Sequence, residues 1–331
     1  MKLPHHPSRR QWHRAALALA MSALLGSAGA QTWPDKPVRL IVGAPPGGTV
    51  DVAARGLAER LTPLLGQTVL VENKPGAAGL LGLQELLKSP RDGSSFMVQI
   101  NGLVSEVPHV VKVPVDPFKA LWPLAEVGRS GLVLVGNAQQ VPGTDLKAAL
   151  AWAKTQGGKL SYASYSAGTV SHTLGQELNK AAGLDMVHVP YKGSPPALND
   201  LVGGQVQFMF DGAGNVAPFV KAGKLKVFAT TAPKRLALMP EVPTFAELGY
   251  KDLTEVVWVG LFTTPDMAPA IQAKMREATQ KALQDPKLRE TLANLGMEVG
   301  GGATPDELMA QLRTASDKQA AMLQAIGFRP E

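Results

Sequence analysis

The sequence predicts an α/β protein of two lobes with mostly parallel sheets flanked by helices. Three observations lead there. Short apolar runs alternate with helical patterns along nearly the whole chain, the signature of covered parallel sheets. The 331 residues amount to about two domains' worth of chain. Two Gly-containing breaks, Gly128-Arg129-Ser130-Gly131 and Gly249-Tyr250-Lys251-Asp252, lie about 120 residues apart, as expected if one lobe is inserted into another and the chain crosses twice.

Each element has its own local reason. Val38–Ala44, Thr68–Glu72, Phe96–Ile100, Leu132–Val135, Leu160–Ser164, Val187–Tyr191, Val206–Phe210, Lys226–Thr230 and Val256–Phe262 read as strands. Most are continuous apolar runs, as when both faces of a sheet are covered. Val50, Ala53, Ala54, Leu57, Leu61 and Leu64 recur at helical spacing, and Ala148, Ala149, Ala151 and Trp152 fall in another helix. Two long helices are expected at about 268–283 and 305–326. Thr304-Pro305-Asp306-Glu307 opens the latter with a capping hydroxyl, a first-turn Pro and a Glu three residues on.

The first thirty residues read as an export signal. A basic stretch runs to Arg14, an apolar stretch spans Ala15 to Leu25, and Ala28-Gly29-Ala30 supplies the small residues before a cleavage point. The apolar run is shorter than the roughly 20 residues that cross a bilayer. An uncleaved anchor is the competing reading, and Arg9-Arg10 leaves a twin-Arg route open. The expected organisation is signal 1–30, a first lobe of 31–128 plus 254–331, and a second lobe of 129–253. The mature chain is expected to begin near Gln31 and to sit outside the cytoplasm, as a monomer.

Composition excludes several classes. Cysteine is absent, so disulfides, thiol catalysis and Cys-bound metals are out. The net charge of +6 is concentrated in the signal, whose Lys2, Arg9, Arg10 and Arg14 leave 29 basic against 27 acidic side chains behind it. A near-neutral body argues against nucleic-acid binding. His109, His172 and His188 lack metal-ligand spacing, and no cofactor or metal site is expected.

Two strand-to-helix turns carry the candidate chemistry. Gly43-Ala44-Pro45-Pro46-Gly47-Gly48-Thr49-Val50-Asp51 offers glycines that let backbone N–H groups approach an anion, with Thr49 as a candidate cap. Its glycine spacing imitates a phosphate loop, but Thr49 stands where that loop needs Lys. Tyr162-Ala163-Ser164-Tyr165-Ser166-Ala167-Gly168-Thr169-Val170-Ser171-His172 is dense in hydroxyls and opens another helix. A capped helix start explains it as well as a carboxylate site does. Gly212-Ala213-Gly214-Asn215-Val216-Ala217 matches a dinucleotide fingerprint, but no acid ends the next strand. Asp211, at a strand end, could accept a hydrogen bond from a ligand or cap the next helix.

At this point the chain resembles the Bug-type family, the extracytoplasmic solute receptors of tripartite tricarboxylate transporters. The resemblance runs from Trp33 to about Gly327. It rests on Trp33-Pro34-Asp35-Lys36-Pro37, Pro45-Pro46-Gly47-Gly48 with Asp51, and Val71-Glu72-Asn73-Lys74-Pro75-Gly76. It continues through Gly158-Lys159-Leu160-Ser161-Tyr162, His188-Val189-Pro190-Tyr191-Lys192-Gly193 and Trp258-x-Gly260. It implies a two-lobed periplasmic binding protein that closes on a small carboxylate, with the two turns as pincers. Ala44, Gly47, Gly48, Thr49 and Asp51 would line or support one jaw, and Ser164, Ser166, Gly168, Thr169 and His172 the other. Tyr191 and Asp211 would flank the floor, with Gly76–Gly79 and Asn101 more distant candidates. The family often carries an aromatic residue where this chain has Ala44, which predicts a roomier first jaw.

The expected function is non-enzymatic capture of a small organic acid, whether a di- or tricarboxylate, an aromatic acid or an amino acid, for transporter membrane subunits. Two alternatives stand beside it. One is an exported serine hydrolase using Ser164 or Ser166 with His172, although no Gly-x-Ser-x-Gly elbow is present. The other is a ligand-sensing periplasmic partner of a signalling system.

Overall fold

In the computed structural model, β1 (Val38–Val42), α1 (Thr49–Leu65), β2 (Val69–Asn73), α2 (Leu80–Lys88) and β3 (Ser95–Ile100) come first. Short helices α3 (Gly102–Ser105) and α4 (Pro117–Ala120) precede β4 (Trp122–Ser130) and β5 (Leu132–Asn137). Next come α5 (Leu146–Thr155), β6 (Ser161–Ser164), α6 (Val170–Ala182) and β7 (Val187–Pro190). They are followed by α7 (Ser194–Val202), β8 (Phe208–Gly212), α8 (Ala213–Lys221) and β9 (Leu225–Thr230). β10 (Val257–Thr263), α9 (Pro269–Ala282), α10 (Pro286–Asn294), β11 (Glu298–Val299) and α11 (Pro305–Ala325) complete the fold. The structure describes residues 33–325 and 327–328. The expected signal, 1–30, lies outside them.

Two sheets organise these elements, in the orders β11-β4-β10-β3-β1-β2 and β7-β6-β8-β5-β9. Each sheet with its flanking helices forms a lobe. The apolar runs are continuous because successive residues feed opposite layers. Leu40 and Val42 pack under α1, α9 and α10, while Ile41 between them packs under α2 and α11. In the second sheet Leu132 and Leu134 pack under α5 and α6, and Val133 and Val135 under α7 and α8. The expected face of α1 is buried except at its end, where Leu64 is exposed and Leu65 takes the inward position. The Thr304–Glu307 capping box forms, with Thr304 N–H on Glu307 Oε2 at 2.7 Å and Glu307 N–H on Thr304 Oγ1 at 3.3 Å.

The sheets are mixed rather than mostly parallel. β1 runs parallel to β2 and β3, and β6 to β7 and β8. β10 is antiparallel to β3 and β4, and β5 to β8 and β9. β11 is antiparallel to β4, and β5 and β10, reversed against their neighbours, are the strands by which the chain enters the second sheet and re-enters the first.

β4 corrects the reading of Gly128-Arg129-Ser130-Gly131 as a linker. Gly128 and Arg129 sit inside a strand, paired with β10 on one side and β11 on the other. A Cβ at Gly128 would come within 3.1 Å of Glu298 O, so the glycine allows β11 to approach. Only Gly131 separates the sheets on this passage, and its Cβ position is 2.2 Å from Ala232 N. The return passage lies beside it. Thr231 N–H bonds Leu132 O at 2.8 Å, and Glu255 N–H bonds Thr231 O at 2.9 Å. The crossing therefore falls next to β10, after the Gly249–Asp252 break.

Candidate functional site

The first turn is built from below. Gly43 has no room for a side chain, since a Cβ there would lie 2.4 Å from Gln99 Nε2 and 2.9 Å from Gly79 Cα. Asp51 is 2% exposed and accepts from Gly47 N–H at 2.8 Å, Asn73 Nδ2 at 2.8 Å and Arg55 Nε at 3.0 Å. Asn73 Nδ2 also reaches Ala44 O at 3.1 Å. Burial alone would push the Asp51 carboxyl up, but the bonds from Arg55, Gly47 and Asn73 outweigh it and hold the group below its ordinary range. Asp51 is thus the brace of the first jaw, facing inward.

Gly48, not Thr49, occupies the cap of α1, and no side chain bonds the helix start. The first-turn amides of Thr49, Val50 and Asp51 have no acceptor within the helix, and they carry the positive end of its dipole. Thr49 turns its hydroxyl across the molecule instead, donating to Asn215 Oδ1 at 3.1 Å. A capping role could not be told from a cross-lobe contact by spacing.

Asn215 stands on the first turn of α8 and donates to Asp211 Oδ1 at 3.1 Å. Gly212 N–H and Ser194 Oγ reach the same oxygen at 2.7 and 3.0 Å. Asp211 is 2% exposed, and burial pushes its carboxyl up to about 6 against the pull of these donors. α8 has no side-chain cap either. The structure therefore brings the expected residues Thr49 and Asp211 together through Asn215, with the uncapped starts of two helices beside them.

The second turn gathers Ser164, Ser166, Gly168, Thr169 and His172 as expected, but spends most of their polar groups on itself. Ser164 Oγ donates to Ser166 O at 2.9 Å and contacts His188 Nε2 at 2.7 Å. With its one proton so placed, the hydroxyl accepts from the His188 ring. Thr169 Oγ1 donates to Ser166 O at 2.7 Å, and His172 Nδ1 accepts Gly168 N–H at 3.0 Å. The His172 and His188 rings stack with centroids 3.7 Å apart. Burial lowers His172 to about 4, and burial with the neighbouring His172 lowers His188 to about 3, so both are neutral at pH 7.

Gly168 does not open space for a ligand here. Its φ is +71°, and a Cβ would fall 1.8 Å from Cγ1 of Val110 in the first lobe. The start of α6 is likewise occupied from across the molecule. Val170 N–H donates to Glu106 Oε2 at 2.9 Å, and burial raises that carboxyl to about 7. A carboxylate of the chain's own first lobe thus sits on the second lobe's helix start. A cavity of about 10 Å³, room for about one water, adjoins Glu106, Ser105, Val170 and Gln319. A larger hollow of about 400 Å³, lined by Glu126, Gln280, Gln284 and Gly300–Gly302, shares no residue with either turn.

Tyr191 is half-buried and its hydroxyl donates to Asp200 at 2.7 Å, within the second lobe. Asn101 is buried and holds Trp258 N–H at 3.0 Å, a structural bond. The Ser–His contact pairs Ser164 with His188, where the hydrolase reading needed His172. Among the described residues neither ring has a carboxylate partner. Sequence reasoning missed Glu106, Ser194 and Asn215 as site residues, and also Tyr165, whose buried hydroxyl lies within electrostatic reach of both Glu106 and Asp211. Asn215 was visible in the rejected dinucleotide pattern. Glu106 carries no local signal.

Comparison with known proteins adds a lineage. Residues 53–328 match the family described as Tripartite tricarboxylate transporter family receptor. The periplasmic binding protein BugD is 31% identical, with a TM-score of 0.80 over 90% of this chain and 100% of that one. MatC from Rhodopseudomonas palustris, solved with bound malate, is 28% identical with a TM-score of 0.77 over 88% and 100%. An R. palustris protein solved with adipate is 25% identical with a TM-score of 0.84 over 90% and 100%.

Proposed function

The chain belongs to the Bug-type receptors of the tripartite tricarboxylate transporter family, and we propose that it is a periplasmic receptor that captures a small organic carboxylate between its lobes. One observation carries this reading. The amides opening the 17-residue α1 are uncapped, the turn before them is braced by Asp51, and the Thr49 hydroxyl beside them reaches Asn215, which bonds Asp211 of the other lobe. A helix start of this kind holds an anion without a fixed positive charge. The malate and adipate bound by its relatives belong to the same ligand class.

Capture would proceed by closure. Carboxylate oxygens take the Thr49–Asp51 amides, and the second lobe then swings in on the passages at Gly131 and beside Thr231. With the first crossing moved to Gly131, the proposed lobes are 31–130 plus 254–331 and 131–253. Thr49–Asn215 and Glu106–Val170 supply contacts that a closed receptor can make without ligand. Membrane subunits of a tripartite transporter are the proposed partners, and cleavage after Ala30 would deliver the chain to the periplasm.

Calorimetric titration and melting with mono-, di- and tricarboxylates, aromatic acids and amino acids test this reading. A ligand at about 100 times its dissociation constant stabilises by about 2.7 kcal/mol. That is a shift of several degrees in the melting midpoint. If no acid in the panel binds, the receptor reading fails.

A further inference from the structure

Asp211 treats its two oxygens unequally. Oδ1 accepts three donors, from Gly212, Ser194 and Asn215. Oδ2 is equally shut off from solvent and accepts none. A buried carboxylate oxygen without a donor is costly, and native proteins rarely leave one so without a use for it.

The surrounding groups do not relieve it. Gly212 N–H is fixed by the end of β8, and Asn215 is held from its other side by Thr49 Oγ1. The backbone around Gly214 cannot swing away, since a Cβ there would meet Leu295 O at 2.7 Å. The Tyr165 hydroxyl, within electrostatic reach of Asp211, is directed to Thr169 and the Ser171 amide. Ser194, the remaining donor, would have to abandon Oδ1 to serve Oδ2.

The position of the orphaned oxygen gives it a use. It stands at the carboxyl end of a strand, where ligands of open α/β sheets bind, and Asn215, bonded to Oδ1 of the same carboxylate, links that carboxylate to Thr49 at the start of α1. The geometry points to Asp211 Oδ2 as the acceptor for a hydrogen-bond donor carried by the ligand, a hydroxyl or ammonium adjoining the carboxylate held by α1. The substrate class is then the 2-hydroxy and 2-amino acids, with plain diacids disfavoured. This rests on the receptor reading above and sharpens it.

Matched acids that differ by one donor make the test. Succinate, malate and aspartate form one series, and adipate, 2-hydroxyadipate and 2-aminoadipate a longer one. Calorimetry at neutral pH on the wild-type mature chain should show a donor-bearing member binding about tenfold or more tighter than its donor-free parent, the cost of leaving a buried charged acceptor unpaired. Asp211→Asn keeps an oxygen for the three internal donors and presents an amide NH₂ in place of Oδ2. In that variant the preference should vanish.

Equal binding of donor-bearing and donor-free acids by the wild type overturns the proposal and leaves the receptor reading intact. So does a preference that survives Asp211→Asn. Silence from every acid overturns both. The wild-type comparison stands by itself should the variant fail to fold.

Discussion

The turns at 43–51 and 164–172 do the same local work. Each carries a parallel strand into a helix, and each was read from sequence as half of a pincer. Their helix starts are used differently. Before α1 no side chain caps the helix, and the first-turn amides have no acceptor within it. Before α6 Glu106 of the opposite lobe already holds Val170 N–H, and His172 holds Gly168 N–H. The contrast extends to how each is braced. Asp51 is an ionised anchor with donors on both oxygens, whereas the second turn leans on two stacked neutral imidazoles. Glycine and hydroxyls after a strand therefore mark a helix start able to hold an anion. They do not say whether the anion is a ligand or a residue of the same chain.

Two glycines expose this difference most strongly. Gly168 has φ +71° and Val110 Cγ1 1.8 Å from its Cβ position, while Gly47 has φ +79° and nothing within 4 Å. Gly168→Ala should cost about 3–5 kcal/mol, from strain and overpacking together. Gly47→Ala should cost about 1–2 kcal/mol, from strain alone. Denaturant unfolding reads both values. Because Val110 lies in the other lobe, Gly168→Ala should also enlarge the radius of gyration in small-angle scattering. Equal costs with unchanged radii would erase the distinction between a packed and an open turn.

Acidity separates the turns next. Glu106 is raised from 4.5 to about 7 by burial, so the folded chain binds its proton more tightly than the unfolded chain. Its contribution to stability falls as pH rises between about 4.5 and 7. The span corresponds to roughly 3 kcal/mol for this fully buried group. His172 and His188 act in the opposite sense, since their depressed values make stability grow as pH rises from about 3 to 6.5. Asp51, held low, likewise loses stability only in strong acid. Glu106→Gln should therefore steepen the rise of the melting midpoint between pH 4.5 and 6.5. Parallel wild-type and variant curves would show that the Glu106 carboxyl is not buried as its place between the lobes implies.

The layers were legible because alternate residues of a buried strand serve two cores, which leaves an unbroken apolar run such as Val38–Val42. β4 was not, because Pro123, Glu126, Gly128 and Arg129 interrupt it. The structure absorbs each interruption with a register shift opposite Phe262, an ion pair between Glu126 and Arg129, and a glycine that admits β11. The first jaw was legible as a cradle for an anion. The second was legible only as a helix start, because the residue that fills it, Glu106, is 64 positions away from Val170. Asn215 lies 166 positions from Thr49. Such pairings are set by how two lobes meet, and no local spacing encodes them.

Ala44 offers the finest test of the first turn as the one that meets the ligand. Its side chain is half-buried against the first-lobe core, and its carbonyl is held by Asn73. The backbone of the jaw is thus fixed independently of the residue's size. A buried aromatic ring covers about 150–250 Å², far more than the methyl at this position. Ala44→Phe should wall off the jaw. It should weaken a long or aromatic acid by about tenfold relative to a four-carbon diacid, the scale on which a pocket discriminates small changes of apolar bulk. The amides of Thr49–Asp51 still grip one carboxylate, so the smaller acid should bind as before. Calorimetry with the two acids reads the ratio, and a melting curve of the unliganded variant reports whether the ring has entered the core instead, at about 1–3 kcal/mol. A ratio that does not move, in a variant as stable as the wild type, would show that the ligand does not reach Ala44 and that the jaw begins at Gly47.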